Sequence, residues 1–221
     1  LICTLCIYIY NMKIVTIEGN IGSGKSTFVQ TLKDELQHDR VCFLQEPVEI
    51  WESVKDISGV SILENFYKDS KKYAFSFQMM AYISRLSIIK RAIESNKYDV
   101  IVTERCLLTD KNIFCKMLYD DEKIEEIEYT IYTKWFDEFD IHSKIETIHV
   151  YLKCDTNTAY ERVCIRNRPG ENIDRGYLER CNQYHDLWVD KIPPDSLIVL
   201  DANLKKEDSY KEWVKQVSVL W

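Results

Sequence analysis

The sequence predicts an α/β fold: a five-stranded, mainly parallel sheet covered by helices on both faces, with an arginine-rich lid. Three observations predict it. Short apolar, β-branched runs alternate with segments of helical periodicity. The first run leads directly into Gly19-Asn20-Ile21-Gly22-Ser23-Gly24-Lys25-Ser26-Thr27, a glycine, four free positions and Gly-Lys-Ser. Arg162, Arg166 and Arg168 gather just before Pro169-Gly170.

Lys13-Ile14-Val15-Thr16-Ile17-Glu18 reads as the first strand, and Phe28, Leu32 and Leu36 mark a helix over 26–37. Between them, glycines let the backbone approach phosphates closely, and the helix start adds the positive end of its dipole. In such a loop Lys25 neutralises the outer phosphates and the Ser26 hydroxyl ligates Mg²⁺. A second strand over 41–46 ends at Pro47, which cannot continue a ladder, so Glu46 falls at the sheet edge where ligands bind. A loop with Trp51, a short helix over 62–67 and a long helix over about 72–95 follow. On the long helix Gln78, Ala81 and Arg85 share a face, suited to a planar polar ligand; a solvent-facing polar stripe is the alternative.

The third strand, 98–104, ends in Glu104 and Arg105. Asn96-Lys97-Tyr98-Asp99 matches the guanine-reading pattern of GTPases but precedes its strand, on the wrong sheet edge, and is a coincidence. A helix from about Thr109 places Asp110 and Phe114 one turn apart, and an acidic run leads to a packing helix around Trp135, Phe136 and Phe139. Strands over 147–152 and 196–201 enclose a helix over 156–166, whose end carries Arg162, Arg166 and Arg168 toward Glu171. Guanidiniums there can clamp a transferring phosphoryl group. An ordinary charged helix end is the alternative.

At 221 residues and 26.3 kDa the chain suits one domain over 12–221, with 1–11 as a dispensable extension before Met12. A net charge of −7 and a pI near 5.2 argue against a nucleic-acid surface. Eight scattered cysteines suit a reducing, cytoplasmic setting, and the lone Cys3-x-x-Cys6 supports metal or redox use only weakly. The apolar stretch 1–10 is too short to span a bilayer, so neither anchor nor membrane partner is expected.

Together, Glu18 through Thr27, Glu46-Pro47-Val48 with Trp51, Tyr67 ahead of Phe77-Gln78, Glu104-Arg105 and the arginine lid resemble the deoxyribonucleoside kinases, specifically the deoxycytidine and deoxyguanosine kinase-like group. The resemblance runs from Met12 to about Asn203. It implies a P-loop kinase fold that transfers the γ-phosphoryl group of ATP or another nucleoside triphosphate, with Mg²⁺, to the 5′-hydroxyl of a deoxynucleoside in nucleotide salvage. A homodimer is also implied. Glu46 resembles the general base; Arg105 would hold the 5′-oxygen region, and Glu104 would help position Mg²⁺. Tyr67 and Glu171 are similar to the pair binding the sugar 3′-hydroxyl; Gln78 would read the base, Phe114 stack on it and Trp51 wall the pocket. Arg166 and Arg168, with Arg162 behind them, look like the lid over the donor phosphates.

Arg85 with Asp110 resembles the pair that faces the base in deoxycytidine and deoxyguanosine kinases, where thymidine-preferring members carry apolar residues. A preference for deoxycytidine and purine deoxynucleosides over thymidine follows, with a surface salt bridge as the alternative reading. Cys106 stands where the family usually has serine, and Lys205-Lys206 departs from its donor-base loop. Two other functions compete: a nucleoside monophosphate kinase of the thymidylate type, which is expected to carry Asp-Arg in place of Glu104-Arg105, and a non-catalytic nucleotide-binding module, which needs neither base nor lid.

Overall fold

The computed structural model describes residues 12–168, 170–204 and 206–221. The expected extension 1–11, with Cys3 and Cys6, and the Pro169 and Lys205 positions lie outside the described residues.

Among the described residues five parallel strands form one sheet in the order β2-β3-β1-β4-β5. The central β1 (Lys13–Gly19) pairs with β3 (Val100–Glu104) on one side and β4 (Glu146–Lys153) on the other; β2 (Val41–Leu44) and β5 (Leu197–Asp201) are the edges. Strand alternation decides the two faces. Val15 and Ile17 pack with Phe28, Val29 and Leu32 of α1 (Lys25–Leu36) and with Trp213 and Val217 of α10 (Lys206–Ser218). Ile14 points the other way, onto Ile89 and Ile93 of α4 (Ser70–Glu94). Each such large side chain contributes about 1.5–3 kcal/mol on burial, and coverage of both faces explains why the strands read as unbroken apolar runs.

Several boundaries differ from expectation. The second strand stops at Leu44, leaving Gln45 and Glu46 in the turn before α2 (Val48–Ser53). The short helix α3 is Ile62–Lys68, and α4 begins at Ser70 because the Asp69 side chain accepts from the Lys72 amide at 3.2 Å, an N-cap. The helix expected from Thr109 starts as α5 (Leu107–Thr109), becomes a π-helical segment over Asp110–Cys115, and continues as α6 (Lys116–Asp120).

On α7 (Glu126–Glu138), Tyr132 and Phe136 are buried as a packing helix requires, whereas Trp135 and, just past the helix, Phe139 remain about half exposed. After β4 come α8 (Thr156–Arg166) and α9 (Arg175–Val189). Neither α9, capped by Asp174, nor α10 was anticipated from the sequence. Among the described residues no helix is long and apolar enough to cross a membrane.

Candidate active site

The β1–α1 turn is shaped by glycine. Gly22 and Gly24 adopt φ of 82° and 96°, and a Cβ on Gly22 would meet the Ala159 carbonyl oxygen at 2.3 Å. The loop is therefore pressed onto α8. Asn20 fastens it from the other side: its Oδ1 accepts from the Ile21 amide at 2.8 Å, and its Nδ2 donates to Leu178 O at 2.9 Å and Asn182 Oδ1 at 2.6 Å on α9. The Asn20 amide thus anchors the loop and does not face the cleft.

Lys25 is buried and donates to the Asn20 carbonyl at 2.8 Å. Burial, then the neighbouring Arg105, lowers its ammonium to about 7 against the pull of Glu104, Glu46 and Glu18. The Ser26 hydroxyl donates to Glu104 Oε1 at 2.7 Å. This hydroxyl and carboxylate form an oxygen-only donor set at the start of α1, which fits Mg²⁺, a hard cation that takes few protein ligands and leaves the rest to water and phosphate.

Glu46 lies beside two guanidiniums. Its Oε1 accepts from Arg85 Nη2 at 3.0 Å and sits 3.3 Å from Arg105 Nε. Burial alone would raise its carboxyl, but Arg105, Arg85 and Lys25 outweigh that and hold it down to about 2. Arg85 also donates from Nε to Asp110 Oδ2 at 2.8 Å and from Nη1 to the Glu104 carbonyl at 2.8 Å. With Arg85 1% and Asp110 2% exposed, the surface-salt-bridge reading is wrong. The solvent-stripe reading of Gln78, Ala81 and Arg85 fails for the same reason, since α4 buries all three.

Arg105 holds φ at 63°, a left-handed conformation costing on the order of 1–3 kcal/mol for a non-glycine residue. Its amide donates to Ile17 O at 3.0 Å and its Nη1 to Gly19 O at 2.9 Å. Nη1 also lies 3.5 Å from Nε2 of the buried His185 on α9, whose ring is lowered to about 3 by burial and by Arg105. The Arg105 guanidinium covers Phe114 at 4.8 Å from the ring centroid.

On α4, the Gln78 side chain is buried with Oε1 unpartnered. Trp51 donates from Nε1 to Ser84 Oγ at 2.8 Å and meets Phe77 edge-on. Tyr67 OH donates to Glu171 Oε1 at 3.5 Å, and Arg166 Nη2 donates to Glu171 Oε2 at 2.6 Å. Arg162 lies behind, donating to Ala202 O at 2.8 Å and Leu204 O at 3.3 Å.

One cleft of about 1120 Å³ is lined by every candidate residue except Gly19 and Asn20. Lys206, already singled out beside the expected donor-base loop, also lines it, as do Tyr177, Tyr210 and Trp213, which the sequence reading missed because they sit on α9 and α10.

Residues 15–220 match the family model described as deoxynucleoside kinase. The chain is 36% identical over 198 residues to a protein of Invertebrate iridescent virus 3 whose name marks it only as a kinase, covering 88% of this chain and 90% of that one. It is 34% identical over 188 residues to the probable deoxycytidine kinase of Fowlpox virus, covering 83% and 74%. Deoxycytidine kinase of Homo sapiens is 29% identical over 236 aligned positions, covering 93% and 90%.

Proposed function

The chain belongs to the deoxynucleoside kinase family and phosphorylates deoxynucleosides; we propose that it transfers the γ-phosphoryl group of ATP to the 5′-hydroxyl of deoxycytidine and purine deoxynucleosides ahead of thymidine. The observation that carries this reading is the common cleft, lined both by Lys25 and Ser26 and by Gln78, whose Oε1 is unpartnered.

An exocyclic amino group on the base would donate to that oxygen. The buried Arg85–Asp110 pair beside it keeps the wall polar, which favours a polar base edge over a methyl group. Tyr67 and Glu171 would bind the sugar 3′-hydroxyl, Phe114 and Trp51 would enclose the base, and Ala81 would leave it room.

The loop amides and Lys25 bind the donor phosphates, and Arg166 and Arg168 close over them, neutralising charge that spreads across the transferring group. Mg²⁺, when bound at Ser26 and Glu104, supplies further charge neutralisation. Glu46, ionised at neutral pH, orients the 5′-hydroxyl and takes its proton as the new P–O bond forms. Its low basicity suits a late proton transfer, consistent with a loose transition state that requires little prior activation of the nucleophile. Arg105 holds Glu46 and the hydroxyl in register. Glu171 links Tyr67 to Arg166, so sugar binding and lid position share one carboxylate.

A homodimer is part of this reading. Ile127, Ile131, Trp135 and Phe139 recur every four residues and are all exposed, with Ile83 of α4 also uncovered, an apolar stripe that a second copy would bury. The six described cysteines are free, in keeping with a reducing cytoplasm.

Incubation with ATP, Mg²⁺ and each deoxynucleoside or its monophosphate, following ADP release, tests the assignment. Turnover is expected with deoxycytidine above thymidine; turnover only with monophosphates, or faster with thymidine, would refute it.

A further inference from the structure

On the sheet face away from α1, three side chains converge in a dry interior. Glu18 of β1, Cys106 just past β3 and His149 of β4 each present a ligand atom, all within 4.8 Å of one another. Glu18 and Cys106 are 0% exposed and His149 6%. Glu18 Oε2 accepts from the Thr109 hydroxyl; beyond the adjacent Cys106 thiol, a weak donor to this carboxylate, Oε1 has no hydrogen-bond partner, and among the described residues no ion pair reaches it. An unsatisfied carboxylate oxygen in such a place is costly unless a cation meets it.

The His149 Nδ1 lies 2.8 Å from Thr16 Oγ1, its register partner on β1; in the tautomer that donates from Nδ1, Nε2 keeps a free lone pair, the arrangement found in ligating histidines. We propose that Glu18, Cys106 and His149 bind one borderline-soft divalent transition metal, Zn²⁺ by its ligand chemistry, as a structural centre separate from the Ser26–Glu104 oxygen pair. A thiolate and an imidazole select such an ion over Mg²⁺. On binding, the Cys106 S–H bond breaks, a metal–sulfur bond forms and the proton leaves to solvent. A dication with one thiolate, one carboxylate and a neutral imidazole sums to zero charge, which suits a buried site. The centre would tie β1, β4 and the residue next to Arg105 together, bracing the left-handed turn that aims that guanidinium.

The test uses the full chain purified from cells grown in zinc- or cobalt-supplemented medium, with metal measured after exhaustive dialysis. About one equivalent per chain is expected, and the cobalt form should show a thiolate-to-metal absorption in the near ultraviolet. Cys106→Ser, a near-isosteric change, should abolish that band, and Thr16→Val should weaken retention about 10–100-fold while keeping every ligand. Negligible metal in the unmodified protein, or equal metal in Cys106→Ser, would overturn the proposal. Metal content and the sulfur band are independent of phosphoryl transfer, so failure here leaves the kinase assignment untouched.

Discussion

Arg85 donates from Nε to Asp110 Oδ2 at 2.8 Å where neither side chain reaches solvent, and the same guanidinium extends to Glu46 at 3.0 Å. Asp110 and Glu46 therefore share one cation, which under the proposed assignment couples the base end of the cleft to its reacting end. Asp110→Ala leaves that cation short of a partner and should destabilise the protein by about 3–5 kcal/mol, read from urea unfolding. Arg85→Met with Asp110→Leu should recover much of this loss, lower kcat by freeing Glu46 and shift preference toward thymidine. A double variant no more stable than Asp110→Ala would contradict the account.

Glu46→Gln should lower kcat by about 10²–10⁴ while nucleoside affinity, followed calorimetrically, changes little. The ion pairs also carry a pH signature. A carboxyl held at about 2 contributes stability that is fully present above its ordinary pKa and is lost as pH falls toward 2, so Glu46→Gln should blunt acid unfolding in that window.

Lys25 gives a slope of the same sign in a higher pH window, but as a penalty: its ammonium is disfavoured in the folded chain. With its native pKa near 7 and an unfolded value of 10.5, the unfolded chain binds more protons between these limits, and stability from this group rises with pH across them. Donor phosphates would restore the charge. Titrating ATP in buffers of different ionisation enthalpy should show net proton uptake at pH 8 and little at pH 6; identical proton uptake at both would refute the assignment.

Tyr67→Phe removes the hydroxyl that donates to Glu171. It should raise KM for deoxycytidine about tenfold, in line with loss of roughly 1.4 kcal/mol, and leave the KM of a 2′,3′-dideoxynucleoside nearly unchanged. Equal effects on both substrates would remove Tyr67 from sugar recognition.

Ile131→Glu with Trp135→Glu places two charges on the exposed stripe of α7. Light scattering should then report a monomer in place of a dimer. A dimer that survives both charges must use another face.

What the sequence disclosed was local. Gly19 to Thr27 carries its chemistry within nine residues, and Glu46, Glu104 and Arg105 are each placed by the end of a strand that apolar runs reveal. The burial of Gln78 and Arg85 was only half legible: helical spacing aligned them, but whether that face met solvent depended on the packing of distant segments. His185 left no signal, because a histidine in a polar helical stretch becomes meaningful only once α9 lies against Arg105, 80 positions earlier in the chain. The anchoring role of the Asn20 side chain was unreadable for a similar reason, since its partners Leu178 and Asn182 belong to a helix that went unrecognised. The π-helical segment was also invisible, because hydrophobic spacing does not distinguish one extra residue in a turn.

The strand order also governs when the molecule can form. Of the described strands β1 emerges first from the ribosome, yet its neighbours are β3 and β4, with Lys13 opposite Val100 on one side and Glu146 on the other. At roughly 5–20 residues per second the N-terminal strand waits on the order of ten seconds for its second partner, its apolar side chains exposed meanwhile. The strand that carries the proposed phosphate loop is thus synthesised early and completed late, and truncations that stop before residue 146 should be prone to aggregation during translation.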